Sequence, residues 1–147
     1  REYFRVPLAT GRDFVSNAFR GRGFGTDPLI AISSPIVVAG ERWGVVQGAL
    51  NLRAFDRLAA DYRQLLGAGV VLVDAQGQVI YATPDTGYDF LEPVGAGPLG
   101  GLLGRADVHE VPHRDRAETL LAGHARTAHG WRVILLKPKP STWAMLE

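Results

Sequence analysis

Cysteine is absent from the 147 residues, which excludes disulfide bonds, cysteine–zinc sites and thiol catalysis. The sequence also has no large excess of positive or negative charge, because 16 basic and 15 acidic residues give a formal net charge of +1. This balance gives no general attraction to nucleic acid or to anionic lipid. The longest apolar runs, 70–73 and 134–136, are far shorter than the roughly 20 residues of a membrane-spanning helix.

A signal peptide is also not visible. The sequence opens on Arg1 without an initiator methionine and ends on Glu147 within what resembles the start of a helix. We therefore expect it to be part of a longer chain, so the missing targeting signals and membrane spans carry little weight.

Catalytic patterns are scarce. The sequence has no G-x-S-x-G serine, its carboxylates are scattered, and the glycine-rich stretch 21–25 lacks the Lys-Ser/Thr of a phosphate-binding loop. His109-Glu110-Val111-Pro112-His113 matches H-E-x-x-H, but zinc peptidases need that motif on a helix. Pro112 would cost a helix interior about 3 kcal/mol. We therefore expect a polar strand or loop there, and we predict no catalytic residue, no metal site and no cofactor.

The residues that are abundant indicate a folded, sheet-rich protein. Hydrophobic residues make up 46% of the chain and charged residues 21%, a composition that can bury a core. Glycine (18) and proline (9) separate short apolar runs, as turns separate strands. In the first half, the pattern of residues predicts a helical turn over 3–10 that ends at Gly11, followed by a strand over 14–19 and a loop over 21–28. It then predicts two strands, 29–38, interrupted near Pro35, and 43–52, with a tight turn over 39–41 between them.

The period then changes to helical spacing over 55–66, and the glycines that follow predict the end of that helix. Beyond it, Asp74 and Gly77 are typical of a tight turn between two apolar strands. The sequence after the helix predicts a hairpin over 70–82 and then a long glycine- and proline-rich excursion over 84–106, which we expect to be functional or mobile. A short strand over 108–112, a last hairpin over 119–128 and 131–137, and a helix starting at Ser141 are predicted to follow.

Several segments, in this order, resemble the Cache (PDC-type) sensor domains of bacterial membrane receptors. Arg1-Glu2-Tyr3-Phe4-Arg5 is similar to the family's D-R-x-Y-F-R stretch, and the strands 14–17, 30–36 and 44–52 are similar to those that follow it. The hairpin 71–80 resembles the family's v-D-x-x-G-x-v-i hairpin, and 130–133 resembles a closing strand.

The resemblance implies an α+β fold of PAS/PDC-like antiparallel sheets with a connecting helix. In a double Cache module a D-x-x-G hairpin precedes the D-R-x-Y-F-R stretch, whereas here the only such hairpin follows it. It therefore implies that 1–54 is the C-terminal part of a first lobe, lacking its first hairpin and long helix. By the same comparison 55–67 is a connecting helix, 68–140 a small second lobe, and 141–147 the start of an outgoing helix.

Polar residues on apolar strands are the candidates for ligand binding. Gln47 and Asn51 share one strand face, with the small Ala49 between them and Ser33 on the neighbouring strand. Tyr3 and Arg5 belong to the stretch that lies beside the family's pocket, and an arginine there would suit an organic acid. The family's amino-acid-binding members have a tryptophan and an aspartate where this chain has neither, which disfavours an amino-acid ligand of that type. Solvated sheet faces also carry such polar residues.

The resemblance thus implies a periplasmic, non-enzymatic ligand-sensing domain of an inner-membrane receptor. The parent protein would be a histidine kinase of a two-component system, a diguanylate cyclase or a chemoreceptor, membrane-anchored, with a homodimer as a further expectation and no nucleic-acid partner. A cytosolic PAS-like sensory domain is the alternative, and a zinc metallopeptidase using His109, Glu110 and His113 is a third, less favoured reading. Neither the ligand nor the output domain follows from the sequence.

Overall fold

A computed structural model describes residues 1–22 and 26–140 of the chain. The helix expected from Ser141 and the middle of the loop expected over 21–28 lie outside these residues. The chain divides into two compact units, Arg1–Ala54 and Phe55–Glu147. Each contains one antiparallel sheet, and one helix connects the two along the chain. The predicted fold class is therefore confirmed.

The first unit is a helix on a small sheet. Its elements are α1 (Glu2–Thr10), β1 (Phe14–Val15), β2 (Phe19–Arg20), β3 (Pro28–Val38), β4 (Glu41–Asn51) and a short 3₁₀ turn, Leu52–Ala54. The long strand β3 pairs with β4 along one edge and with β1 and β2 along the other.

The helical turn predicted over 3–10 is a full nine-residue α-helix, and it ends as expected at Gly11. Gly11 has a left-handed φ of 69°, and its N–H donates to the Pro7 carbonyl oxygen. Glycine adopts this conformation without the steric cost that a Cβ would bring, which explains why the helix stops there.

The single strand predicted over 14–19 is wrong, because the structure divides it into β1 and β2. At Ser16 a side chain replaces a backbone group of the ladder, since the Ala31 N–H donates to Ser16 Oγ at 2.9 Å. Ser16 Oγ in turn donates to the Asn17 carbonyl oxygen. Side-chain bonds of this kind compete with regular strand pairing and interrupt it.

The interruption predicted near Pro35 is also wrong. The strand β3 continues through Pro35, which pairs with Val45, and the register shifts only at the next residues, Ile36 and Val37. Pairing between β1 and β3 reaches no further than Ser33, so this end of β3 has β4 as its neighbour among the described residues. Proline is tolerated where a strand is paired on one side only.

Over residues 55–140 the second unit is a five-stranded sheet with one α-helix. Its elements are α2 (Phe55–Leu66), β5 (Gly69–Val73), β6 (Val79–Ala82), 3₁₀ turns at Pro84–Thr86 and Gly101–Gly104, β7 (His109–Pro112), β8 (Thr119–Arg126) and β9 (Arg132–Pro138). The strand order is β6-β5-β9-β8-β7. The predicted hairpin turn forms at Asp74, whose Oδ1 accepts the N–H groups of Gln76 and Gln78, and Gly77 takes the positive φ of 84°.

The excursion over 84–106 supplies part of the core. Its Tyr88, Val94, Leu99 and Leu102 are buried and join one cluster with buried side chains of all five strands of the sheet. The segment folds back tightly, since a Cβ added to Gly100 would come within 2.2 Å of the Gly95 carbonyl oxygen. No helix among the described residues is long and apolar enough to cross a membrane.

Candidate functional site

The strand pairing of the first unit brings three of the predicted site residues to one face of the sheet. Ser33 on β3 is directly opposite Gln47 on β4, and Leu29 is opposite Asn51. Because side chains alternate along a strand, Ser33, Gln47 and Asn51 share that face. Gln47 and Asn51 are exposed, and Asn51 Oδ1 accepts the Arg53 N–H at 3.0 Å.

Helix α1 lies over the same face. The ring of Tyr3 stacks on Phe19 with centroids 6.5 Å apart, and Phe19 is opposite Leu29 in the sheet. The Tyr3 hydroxyl accepts a hydrogen bond from Arg1 at 2.8 Å. Arg5, on the same helix, is exposed. The structure therefore places Tyr3 and Arg5 on the element that covers Ser33, rather than at the edge of an open pocket with it.

A groove of about 400 Å³ lies on the sheet of the first unit. Of the five predicted site residues it includes Ser33 and none of the others. The lining residues are Asp13, Ile32, Ser33, Ser34, Val46, Gly48, Ala49 and Leu50. Most of them belong to the sheet face opposite α1, where Val46 and Ile32 are exposed. The groove is therefore an open, mostly apolar trough with polar groups at one side.

Ser33 is the most unusual polar residue of this sheet. It is only 1% exposed, and its Oγ has no hydrogen-bond partner among the described residues. Buried hydroxyls are nearly always bonded, and an unpaired one costs about 1–3 kcal/mol. Because its side chain belongs to the face that α1 covers, this hydroxyl does not face the groove on the opposite side of the sheet.

Asp13 and Ser34 are functional candidates that the sequence reasoning missed. Asp13 precedes β1, next to the pair formed by Phe14 and Ser33, and Ser34 Oγ donates a hydrogen bond to Asp13 Oδ1. Among the residues that the structure describes, the carboxylate is the only charged group in the lining of the groove. An aspartate just before an apolar strand was the available signal, but its meaning depends on Ser34, 21 residues further along the chain.

The H-E-x-x-H sequence lies on β7 and the turn after it, not on a helix. His113 is buried, and both of its ring nitrogens are in use. Nδ1 accepts the N–H groups of Asp115 and Arg116 at 3.0 and 3.1 Å, and Nε2 donates to the Asp85 carbonyl oxygen at 2.9 Å. The described residues contain no cluster of potential metal ligands. The arrangement that a zinc peptidase requires, two histidines on one helix face, is therefore not formed.

The excursion of the second unit packs its side chains onto the sheet. Tyr88 is buried there, and the Arg114 guanidinium lies 4.6 Å from the centroid of its ring. Arg114 also pairs with Glu92. The N–H of Asp89 donates to Glu92, which with Arg114 lowers the pKa of that carboxyl group, while burial raises the pKa of Tyr88. Side chains of this segment thus form a packed layer over the sheet.

No protein-family model matches the sequence, and a search of curated proteins found no match either. Solved structures are similar over nearly the whole chain. The extracellular domain named as that of the histidine kinase mmHK1S-Z2 is 15% identical with a TM-score of 0.71, and the match covers 100% of this chain and 57% of that one.

Two chemoreceptor domains from Pseudomonas are also similar. The ligand-binding domain of the amino acid chemoreceptor PctC of Pseudomonas aeruginosa PAO1, in complex with GABA, is 23% identical with a TM-score of 0.67, and the match covers 93% of this chain and 60% of that one. The ligand-binding domain of the Pseudomonas fluorescens chemoreceptor CtaA, in complex with L-alanine, is 18% identical with a TM-score of 0.66, covering 97% and 62%.

The chain therefore spans less than two thirds of the length of these structures. At identities below 25% the likeness concerns the fold. That fold is the one shared by extracellular ligand-binding domains of histidine kinases and chemoreceptors, as the resemblance to Cache domains predicted.

Proposed function

We propose that this chain is the extracytoplasmic ligand-sensing part of a bacterial membrane receptor and that it carries no catalytic activity of its own. The observation that carries the proposal is the likeness of both units, in their chain order, to sensor domains with TM-scores of 0.66 to 0.71. Residues 1–54 would be the later part of a first lobe, and 68–140 a second lobe. The parent protein would be a membrane-anchored histidine kinase, diguanylate cyclase or chemoreceptor.

The first unit is the proposed binding site. It combines a groove of about 400 Å³ with the hydrogen-bonded polar groups of Asp13 and Ser34 at one side. The face opposite this groove, which α1 covers, carries the residues predicted from the sequence as further candidates: Ser33, Gln47, Asn51, Tyr3 and Arg5. In the second unit the excursion packs Tyr88, Leu99 and other side chains against the sheet.

The ligand is proposed to be a small polar molecule with an amine. Asp13 is the one charged group that lines the groove, and a carboxylate attracts an ammonium group and repels an organic acid. The chemoreceptor domains PctC and CtaA were solved with GABA and with L-alanine, both of which carry an amine. An organic acid, the ligand expected from Arg5, would have to bind on the face that α1 covers.

Signalling would follow from differential affinity. A ligand that binds one arrangement of the receptor more tightly than another shifts the population toward it by that difference in free energy. The segment from Ser141 onward, which lies outside the described residues, would pass this shift to the membrane.

A thermal-shift screen of the 147-residue chain tests the proposal. The panel would contain amino acids, alkylamines and organic acids, and a binder at 100 times its Kd stabilises a protein by about 2.7 kcal/mol. We expect an amine-bearing compound to raise the melting temperature, and Ser34→Ala and Asp13→Asn to abolish that rise. Gln64→Ala, an exposed position on α2, is the control that should retain it. A panel without any binder, or a binder unaffected by both groove variants, would refute the proposed site.

A further inference from the structure

A slot in the second unit lies between one side of α2 and the segment 81–85. Its volume is about 530 Å³, within the range of small-molecule pockets. Neighbouring positions of one helix face, spaced three and four residues apart, form the wall on α2. They are Asp56, Ala59, Ala60 and Arg63. Tyr81 and Asp85 belong to the opposite wall, and Arg116 contributes to the lining from the turn after β7.

Two polar contacts connect α2 to the opposite wall, one at each end of the slot. The Tyr81 hydroxyl donates to Asp56 Oδ1 at 2.9 Å, and the Arg63 guanidinium donates to the carboxylate of Asp85. Asp56 and Arg63 are seven residues apart, which corresponds to about 10 Å along the helix axis. Between them the helix presents two alanines, whose side chains are too short to fill the space that the two contacts enclose.

Arg116 lies beside the slot because buried His113 fixes the turn that carries it. His113 Nε2 donates to the Asp85 carbonyl oxygen at 2.9 Å, and its Nδ1 accepts the Arg116 N–H at 3.1 Å. One imidazole, only 7% exposed, thus joins the backbones of two charged residues of the lining. The second histidine of the H-E-x-x-H sequence therefore holds a cationic residue at the Asp85 end of the slot.

The charges of the slot are balanced but separated. Arg63 and Asp85 compensate each other, which leaves the Asp56 carboxylate at one end and the Arg116 guanidinium at the other. Asp56 accepts a single hydrogen bond from the described residues, whereas a carboxylate can accept several. The ionic contact of Arg116, with Glu118, is 3.8 Å long and exceeds hydrogen-bond distance. Both groups can therefore bond to a solute.

We propose that this slot is a second ligand site and that it binds a small zwitterion, with the ammonium group on Asp56 and the carboxylate group on Arg116. A guanidinium group donates two parallel hydrogen bonds to a carboxylate, and an aspartate accepts from an ammonium group. A molecule with one charge gains one of these contacts, whereas a zwitterion gains both. The groove of the first unit differs, because Asp13 is the one charged group among its described lining residues.

The slot lies on the side of α2 that is away from the exposed leucines of this helix. With 3.6 residues per turn, Leu58 and Leu65 project from the side opposite the alanines of the slot. These leucines are 47% and 79% exposed, so they form the apolar side on which another segment could pack. Such packing would leave the slot accessible.

Titration calorimetry on the 147-residue chain carrying Asp13→Asn tests the proposal, because this substitution removes the charged group of the first-unit groove. Glycine, β-alanine and GABA are the zwitterionic probes, and n-butylamine and butyrate are the singly charged analogues of GABA. We expect at least one zwitterion to bind, with GABA about tenfold tighter than either analogue, since each charged hydrogen bond adds to affinity. No binding of any zwitterion, or n-butylamine as tight as GABA, would overturn the proposal.

Substitutions in the slot separate its two ends. Arg116→Gln should reduce the affinity for GABA to that of n-butylamine, and Asp56→Asn should reduce it to that of butyrate. Arg57→Gln and Asp61→Asn, at exposed positions of α2 outside the lining, are the matched controls and should retain the affinity. Binding that both slot variants leave unchanged would refute the slot as the site. A zwitterion that binds the parent chain but not Asp13→Asn would occupy the first unit, which contradicts the slot and supports the proposed function.

Amide resonances locate the ligand independently of the charged side chains. Ala59 and Ala60 lie between the two polar contacts, so their amide resonances should shift as GABA is added to the Asp13→Asn chain. The resonances of Ile32 and Val46, which line the groove of the first unit, are the control and should not move. The opposite pattern, with shifts at Ile32 and Val46 alone, would show that the slot is not a ligand site.

Discussion

Two serine hydroxyls of the first unit differ in their hydrogen bonding, and the difference predicts effects of opposite sign. Ser33 Oγ is buried without a partner, whereas Ser16 Oγ accepts the Ala31 N–H and donates to the Asn17 carbonyl oxygen. We expect Ser33→Ala to leave the free energy of unfolding unchanged or to raise it by about 1 kcal/mol, since it removes an unpaired polar group. Ser16→Ala should lower it by about 1–2 kcal/mol, because it leaves a backbone N–H unpaired.

Urea unfolding of both variants measures this difference. Equal destabilisation by the two substitutions would mean that Ser33 Oγ is bonded in solution.

The phenol of Tyr81 is predicted to titrate unusually late. Burial, a 2.9 Å hydrogen bond to Asp56 Oδ1 and the charge of that carboxylate raise the pKa of Tyr81 from 10.0 to about 12. A pKa raised in the folded state means that Tyr81 contributes stability below pH 10, and that this contribution is lost as the pH rises from 10 to about 12.

Phenolate absorbance during alkaline titration should therefore show a late-titrating component that is missing in Tyr81→Phe. Asp56→Asn should move its titration to lower pH, and Asp61→Asn, elsewhere on α2, should not. An unchanged titration in Asp56→Asn would contradict the assignment.

At the scale of elements, the β3–β4 turn contains a residue under strain. Ala39 has a φ of 50° and Gly40 a φ of 84°, the pair of positive angles that a two-residue type I′ turn requires. Alanine pays about 1–2 kcal/mol for a left-handed conformation that asparagine and glycine adopt more readily. We expect Ala39→Asn to raise the free energy of unfolding by about 0.5–1 kcal/mol, and Gly40→Ala to lower it by about 1 kcal/mol.

Thermal unfolding followed by calorimetry gives both values. If Ala39→Asn destabilises the protein, the turn has a different conformation in solution.

At the scale of the whole molecule, the second unit should fold without the first. Its largest buried cluster is made of side chains between Val71 and Leu136, and its five strands pair with one another. We therefore expect residues 55–147 alone to unfold cooperatively in urea. The 54 residues of the first unit have a much smaller buried core, and chains near 60 residues are marginally stable.

Dispersed amide resonances of the 55–147 fragment would agree with this expectation, and a disordered spectrum would contradict it. We expect the 1–54 fragment, in contrast, to remain largely unfolded.

The predictability of the fold and the site follows the range of the interactions involved. The local pattern of residues was sufficient to predict α2, the turn at Asp74–Gly77 and the end of α1 at Gly11, because each of these features depends on residues within a few positions of one another. The candidate site was predictable only in part. The pairing of Ser33 with Gln47 follows from the hairpin, but the placement of Tyr3 over that face depends on Phe19 and Leu29.

The sequence by itself determined that the chain is sheet-rich, without cysteine chemistry, and similar in motif order to Cache domains. Only the tertiary structure decided that Ser16 divides one strand into two, that the excursion over 84–106 fills the second core, and that Ser33 is buried without a partner. The reason is physical: these features arise where segments distant in sequence compete for the same hydrogen bonds and the same space, and no local pattern of residues records the outcome.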